Sequence, residues 1–183
     1  QVVKSFTDLG YTTSGGVSLF GGEGRQSNDD RYWPLQLGKA NGEWDIVIYD
    51  KVANSVAGII PLSAKAGSGT SNVDNWGMSQ NGQFVVMQTI SAWTTRTGVS
   101  VPVGVNVFST TGQYLRSRGG VGTGHIDYGI DSSGNEVVFF IGSKYASNDK
   151  VGQTWRLDGS NGTQTVDQFK EMIGWSYHVS TAH

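Results

Sequence analysis

Short runs of β-branched and aromatic residues alternate with polar positions. They are cut at close intervals by Gly, Asn, Asp and Ser, the pattern of strands joined by tight turns. The clearest stretch is 124–142, GHIDYGIDSSGNEVVFFIG, which predicts a strand over Ile126–Ile130, a turn at Ser132-Ser133-Gly134 and a strand over Glu136–Ile141. The same arrangement stands at 72–90, NVDNWGMSQNGQFVVMQTI, and at 20–38, FGGEGRQSNDDRYWPLQLG. Aligning the turns puts Asp30, Gly82 and Gly134 in one column, 52 residues apart each time. A fixed period of that length marks the repetition of one supersecondary unit.

Each period reads as four strands. The first unit has Gly22–Gln26, a turn at 28–30, Arg31–Leu37, Asp45–Tyr49 and Ser55–Ile60. The second has Asn75–Ser79, Gln83–Ile90, a longer loop over Ser91–Pro102, Gly104–Ser109 and Gln113–Arg118. The third has Ile126–Ile130, Glu136–Ile141, a loop over Ser143–Gly152, Gln153–Leu157 and Thr163–Asp167. Residues 1–9 predict a lone strand, 11–18 a Gly/Ser/Thr connection, 169–173 a hint of a helical turn, and Tyr177–Ala182 the opening strand of a further unit.

Four antiparallel strands per repeat describe the blade of a β-propeller. The turn pattern x-x-[SD]-x-[DNS]-[GD]-x-x-[VW], followed by strands such as IVIYD and VNVFS, resembles the blades of TolB/YWTD-like and WD40-like propellers. That resemblance implies an all-β propeller fragment. Its blades would cover about 20–62, 72–118 and 124–167, with a stray strand before them and the start of another blade at 175–183. Propellers close with about four to eight blades. The expectation is therefore that remaining blades come from the same or another chain, since open sheet edges invite aggregation. The alternative is a small irregular β-sheet domain in which the period is coincidental. The tail YHVSTAH is also similar to a segment of propeller-type oligogalacturonate lyases, although that family's further metal ligands have no counterpart in this sequence.

Composition narrows the partners. Gly makes up 27 of the 183 residues and charged residues 15%, which suits a turn-rich β protein better than a helical one. A net charge of −2 gives no electrostatic support for nucleic acid or an anionic membrane. Cysteine is absent, so disulfides and thiolate metal sites are excluded. No apolar run approaches the roughly 20 residues that span a bilayer. No signal peptide is visible at Gln1, and a start at Gln suggests a processed or truncated chain. A secreted or extracellular location is the expectation.

Candidate chemistry follows from the columns of the repeat. One column holds Gly21, Val73, His125 and His178; two positions on stand Glu23, Asn75, Asp127 and Ser180. In a propeller these residues would ring one channel mouth, because positions i and i+2 share a strand face. Glu23, Asn75, His125, Asp127 and His178 could then bind a sugar, hold a divalent metal through His125 and His178, or move protons. The structural reading is that they hydrogen-bond neighbouring blades. Trp76 and Tyr128 share a column and read as inter-blade core. Trp93 and Arg96 in the long loop, with Lys144 and Tyr145 in the next, are candidate ligand contacts at the same mouth. The Gly-rich segments 21–24 and 119–124 lack the helix and Lys-Ser/Thr of a phosphate loop and read as turns between units.

Three functions are compatible with this pattern. The first is a binding or interaction module that contacts a glycan or a protein through one propeller face. The second is a carbohydrate-active lyase or hydrolase, with Asp127 or Glu23 as acid/base, His125 and His178 on a metal, and Arg25 or Arg96 near a sugar carboxylate. The third is a structural subunit of an extracellular assembly, which would carry apolar patches on its outer strands.

Overall fold

A computed structural model describes residues 5–14, 26–62, 65, 73–118, 126–143, 150–160 and 164–165. These residues are all-β apart from one 3₁₀ turn at Phe6–Leu9. The strands are β1 (Tyr11–Ser14), β2 (Tyr32–Lys39), β3 (Trp44–Asp50), β4 (Ser55–Leu62), β5 (Val73–Met78), β6 (Phe84–Thr89), β7 (Trp93–Thr94), β8 (Ser100–Val101), β9 (Gly104–Ser109), β10 (Tyr114–Arg118), β11 (Ile126–Ile130), β12 (Glu136–Ser143), β13 (Lys150–Arg156) and β14 (Gln164–Thr165). They form three four-stranded antiparallel sheets, β1-β2-β3-β4, β5-β6-β9-β10 and β11-β12-β13-β14, and the small hairpin β7-β8.

The periodic turn is the element that recurs most faithfully. Ser27, Ser79 and Asp131 each accept, through the backbone carbonyl, from the amide three residues on, at 2.9, 3.0 and 2.9 Å. That third residue is Asp30, Gly82 or Gly134, and all three sit in the left-handed region at φ 58°, 71° and 83°. The side-chain oxygen of the first residue closes the loop by accepting from a later amide: Tyr32 on Ser27, Phe84 on Ser79 and Asn135 on Asp131. A positive φ favours Gly, and Asp or Asn next, which is why this column was legible. The third turn is one residue tighter: the Asp131 amide bonds the Asn135 carbonyl, whereas the Ser79 amide bonds that of Phe84.

The sheets lie face to face. Val85, Met87 and Phe108 of the second sheet, with Trp76 and Met78, share one core with Ile46, Ile48, Ile60 and Leu62 of the first. Val86, Val105 and Val107, on the opposite side of the second sheet, share another core with Ile126, Tyr128, Val138, Trp155 and Leu157 of the third. Strand alternation produces this split, since neighbours along β6 and β9 point to opposite faces. Trp76 and Tyr128 are 2% and 4% exposed, and each faces the sheet before its own, as their shared column predicts.

The outer edges interlock as well. Gly58 and Ile59, beside a register shift between Ile48 and Tyr49 in the β3–β4 pairing, lie against the β9–β10 turn. A Cβ on Gly58 would fall on the Thr110–Thr111 backbone, and one on Gly112 would fall on the Ile59 backbone. Gly112 also has a φ of 84°. Gly112→Ala is expected to cost about 2–4 kcal/mol, from unfavourable φ and backbone overlap together. Gly98→Ala, at a similar φ of 84° but with nothing near its Cβ, is expected to cost about 1 kcal/mol. Urea unfolding of the two variants checks the difference.

Four sequence expectations are corrected. Phe6–Leu9 is a 3₁₀ turn and not part of a strand: Ser5 caps it by accepting from the Thr7 amide, and Gly10 ends it at φ 82°. Tyr11–Ser14, read as a connection, is the first strand of the first sheet, pairing with Leu37–Lys39. The place beside β2 expected for Gly22–Gln26 is taken by Tyr11–Ser14; Gln26 lies outside any strand, and residues 22–25 lie outside the described residues. The loop expected over Ser143–Gly152 is shortened at both ends, because β12 runs to Ser143 and β13 starts at Lys150. The helical hint at 169–173 and the strand at Tyr177–Ala182 lie outside the described residues.

Candidate functional site

One end of the stacked sheets carries the β2–β3 loop, the β7–β8 hairpin and the starts of β5 and β11. This is the end to which the sequence assigned its candidate residues. Its polar centre is Asp45, which is fully buried. The Tyr11 hydroxyl donates to Asp45 Oδ2 at 2.7 Å, and Lys39 Nζ lies 3.1 Å from the same oxygen. Arg96 bridges from the second sheet: its guanidinium donates to Asp45 Oδ1, to the Trp44 carbonyl at 3.1 Å and to the Leu62 carbonyl at 2.8 Å. Glu43 Oε2 stands 3.5 Å from both Lys39 and Arg96. Burial, then the bond to Asp45 and its negative charge, push the Tyr11 phenol well above its ordinary range.

The β7–β8 hairpin positions that arginine. Thr95 accepts from the Gly98 amide at 2.9 Å, and its side chain accepts from the Val99 amide at 3.0 Å. Gly98 takes the left-handed position, so this is the same turn as in the main repeat, inserted once more between β6 and β9. Trp93 and Val101 are buried in the core shared by the first two sheets, which anchors both hairpin strands. Ser91–Pro102, expected as a loop, thus contains a hairpin; the Thr-x-x-Gly spacing of Thr95 and Gly98, shared by Ser79/Gly82 and Ser109/Gly112, is the signal that could have revealed it.

Of the predicted residues, those that are described face different sides of the sheets. Asn75 is buried; a register shift between Val73 and Asn75 turns the two to opposite sides of the second sheet, so the i, i+2 rule fails there. Val73 joins the core with the first sheet, and Asn75, opposite Gln88, looks towards the third. Asp127 is half-buried opposite Phe139, on the side of the third sheet turned away from the second. Trp93 is 7% exposed, a core residue and not a platform at a mouth. Glu23, His125, His178, Lys144 and Tyr145 lie outside the described residues, and with them the proposed metal pair. Among the described residues no three His, Asp or Glu side chains group as metal ligands.

The far end is organised by carboxylates that sequence reading passed over. Asp131 accepts from the Ser133 and Asn135 amides, each at 2.9 Å, and from Arg156 Nε at 2.7 Å. The Asn135 amide, followed by the Asn135 side chain and Arg156, lowers its carboxyl to about 2. Asp50 is lowered mainly by Arg31, whose Nη2 lies 2.8 Å away, and Asp30 mainly by Lys51 and then Trp33. A carboxyl depressed by folding stabilises above its unfolded value and loses that contribution as pH falls towards its folded value. The melting temperature is therefore expected to fall as pH drops from about 4 to about 2. A pH series of thermal melts checks this, and Asp131→Asn should flatten the curve.

Lateral bonds tie the β5–β6 turn of the second sheet to both neighbouring sheets at this end. Asn28 N donates to the Gln80 carbonyl at 2.9 Å, Gln80 Nε2 to the Tyr128 carbonyl at 2.8 Å, and Asn81 N to Glu136 Oε1 at 2.5 Å.

No protein-family profile matches the chain, and no curated protein matches it. A solved structure described as the crystal structure of the eukaryotic initiation factor superposes with a TM-score of 0.33 and 13% identity, over 78% of this chain and 43% of its own length. A superposition of that quality carries no functional information.

Proposed function

We propose that the chain is a non-catalytic binding module, a run of propeller-type blades that contacts a glycan or a protein outside the cell. The carrying observation is that the second sheet packs against a neighbour on each face and is tied by its β5–β6 turn to both, to the equivalent turn of the first sheet and to β11 and β12 of the third. Sheets stacked in this way hold their connecting loops rigidly side by side, and loops held on such a scaffold are where binding resides. The contact surface is the end with the 39–43 loop and the β7–β8 hairpin. There Thr94, Arg96 and Thr97 are exposed on a hairpin that, among the described residues, is found in the second unit alone. The charged groups beneath it favour binding over catalysis, since Asp45, Lys39 and Arg96 are committed to joining the first two sheets.

The test is a glycan array and a panel of extracellular proteins probed with the 183-residue chain, followed by calorimetry on any hit. Binding without turnover, weakened at least tenfold by Thr94→Arg with folding unchanged, is expected. Cleavage of a uronate polysaccharide to an unsaturated product, read by ultraviolet absorbance, would overturn the reading in favour of a lyase.

A further inference from the structure

Among the described residues, Arg31, Arg96, Arg116 and Arg156 each donate to a carboxylate or a backbone carbonyl, those of Asp50, Asp45, Leu157 and Asp131 in turn. Arg118 departs from this: its Nε is buried and meets no acceptor. It stands at the hairpin end of β10, opposite Val105. Val105 lies opposite Gln88, and Gln88 opposite Asn75. These residues make one row across the second sheet, on the side by which Val105 packs against the third. Asn75 is 5% exposed, and its Oδ1 is buried without a donor. One face of one sheet thus holds a donor that lacks an acceptor and an acceptor that lacks a donor. Buried polar groups in folded proteins nearly always have partners, so the pair calls for a partner that serves both. Ile90 and Val103, two positions from Gln88 and Val105 towards the hairpin, are 43% and 42% exposed and give the row an apolar lip.

We infer that this row is a binding site for a sugar acid, with the carboxylate on Arg118, a ring hydroxyl donating to Asn75 and the C–H face of the ring against Ile90 and Val103. The inference rests on the binding function proposed above and names the class of glycan. The chemistry of the two unserved atoms selects the ligand. A guanidinium takes a carboxylate through Nε and one Nη as two parallel bonds. Asn75 Oδ1 only accepts, so it needs a hydroxyl or amide donor, which an ionised carboxylate lacks. A simple anion would therefore leave Asn75 unserved, and a neutral sugar would leave Arg118 unserved. Span narrows the choice further. Asn75 and Arg118 stand three strand spacings apart, about 14 Å at the backbone. The long arginine side chain shortens that gap to one that a sugar ring bridges and a two-carbon acid does not.

The test is an NMR titration of the 183-residue chain, following the Arg118 Nε–Hε cross-peak, with glucuronate, glucose, acetate and an acidic peptide as separate probes. Glucuronate should move the peak to saturation, and each of the other three should bind at least about tenfold more weakly. Arg118→Lys keeps the charge and loses the fork, so it should weaken glucuronate at least about tenfold, read on the neighbouring amides. Asn75→Leu should weaken glucuronate and leave the response to acetate unchanged. Melting temperatures of both variants establish that they fold. A peak that glucuronate does not move would mean that ordered water alone serves the row, and would overturn the inference. Equal binding of acetate and glucuronate, tighter binding of the peptide, or full binding by Arg118→Lys would each overturn it as well. The proposed function fails separately. A neutral glycan or a protein bound at the hairpin and lost in Thr94→Arg, with no response to glucuronate, would sink this inference and leave that reading standing.

Discussion

Trp76→Ala is expected to lower unfolding free energy by about 3–5 kcal/mol, the largest effect of any single substitution considered. The indole is 2% exposed and sits among Ile46, Ile48, Ile60, Met78 and Met87, and its Nε1 reaches the Pro34 carbonyl at 3.4 Å. Truncation opens a cavity between two sheets, where close packing on both sides limits collapse. Folded domains of this size are stable by only about 5–15 kcal/mol, so a loss of this size removes a large share. Trp76→Phe keeps most of the volume and forfeits only the weak hydrogen bond; it should cost about 1–2 kcal/mol. Urea midpoints of the two variants separate a packing role from a surface role, in which both would be near neutral.

Arg96→Ala is expected to cost about 2–4 kcal/mol, more than a surface ion pair contributes. The reason is Asp45, which is buried, together with the Trp44 and Leu62 carbonyls that Arg96 also serves. Lys39 remains at 3.1 Å from Asp45 and limits the loss. Arg96→Lys should recover little, because an ammonium cannot span a carboxylate and two carbonyls in the plane of a guanidinium. A double-mutant cycle with Asp45→Asn provides the check. Coupling above about 1 kcal/mol is expected; additive losses would mean that the hairpin does not clamp the first sheet.

Legibility in the sequence followed how strictly the backbone constrains each residue. The turns were legible because a left-handed position admits few residues, and Asp30, Gly82 and Gly134 mark it at one spacing. Trp76 and Tyr128 were placed correctly because that spacing also carries the strand before the turn. The first strand of the first sheet was missed because pairing partners, not local propensity, decide which of two weak segments joins a sheet; Tyr11–Ser14 holds that place. The face of Asn75 was missed because a bulge leaves no composition signal and flips every side chain beyond it. Arg96 was picked out as a loop residue facing a ligand. Its bonds to the first sheet depend on contacts 34 to 52 residues away, which no local pattern encodes.

The central claim is that the second sheet lies between the other two, with alternate residues of its strands committed to opposite neighbours. Methyl NOE spectroscopy on Ile-, Val- and Met-labelled protein tests it most directly. Val85 and Met87 should show cross-peaks to Ile46, Ile48 and Ile60, while Val86, Val105 and Val107 should show them to Ile126 and Val138. Cross-peaks from Val86 or Val107 to the isoleucines of the first sheet, or none between sheets at all, would contradict the stacked arrangement.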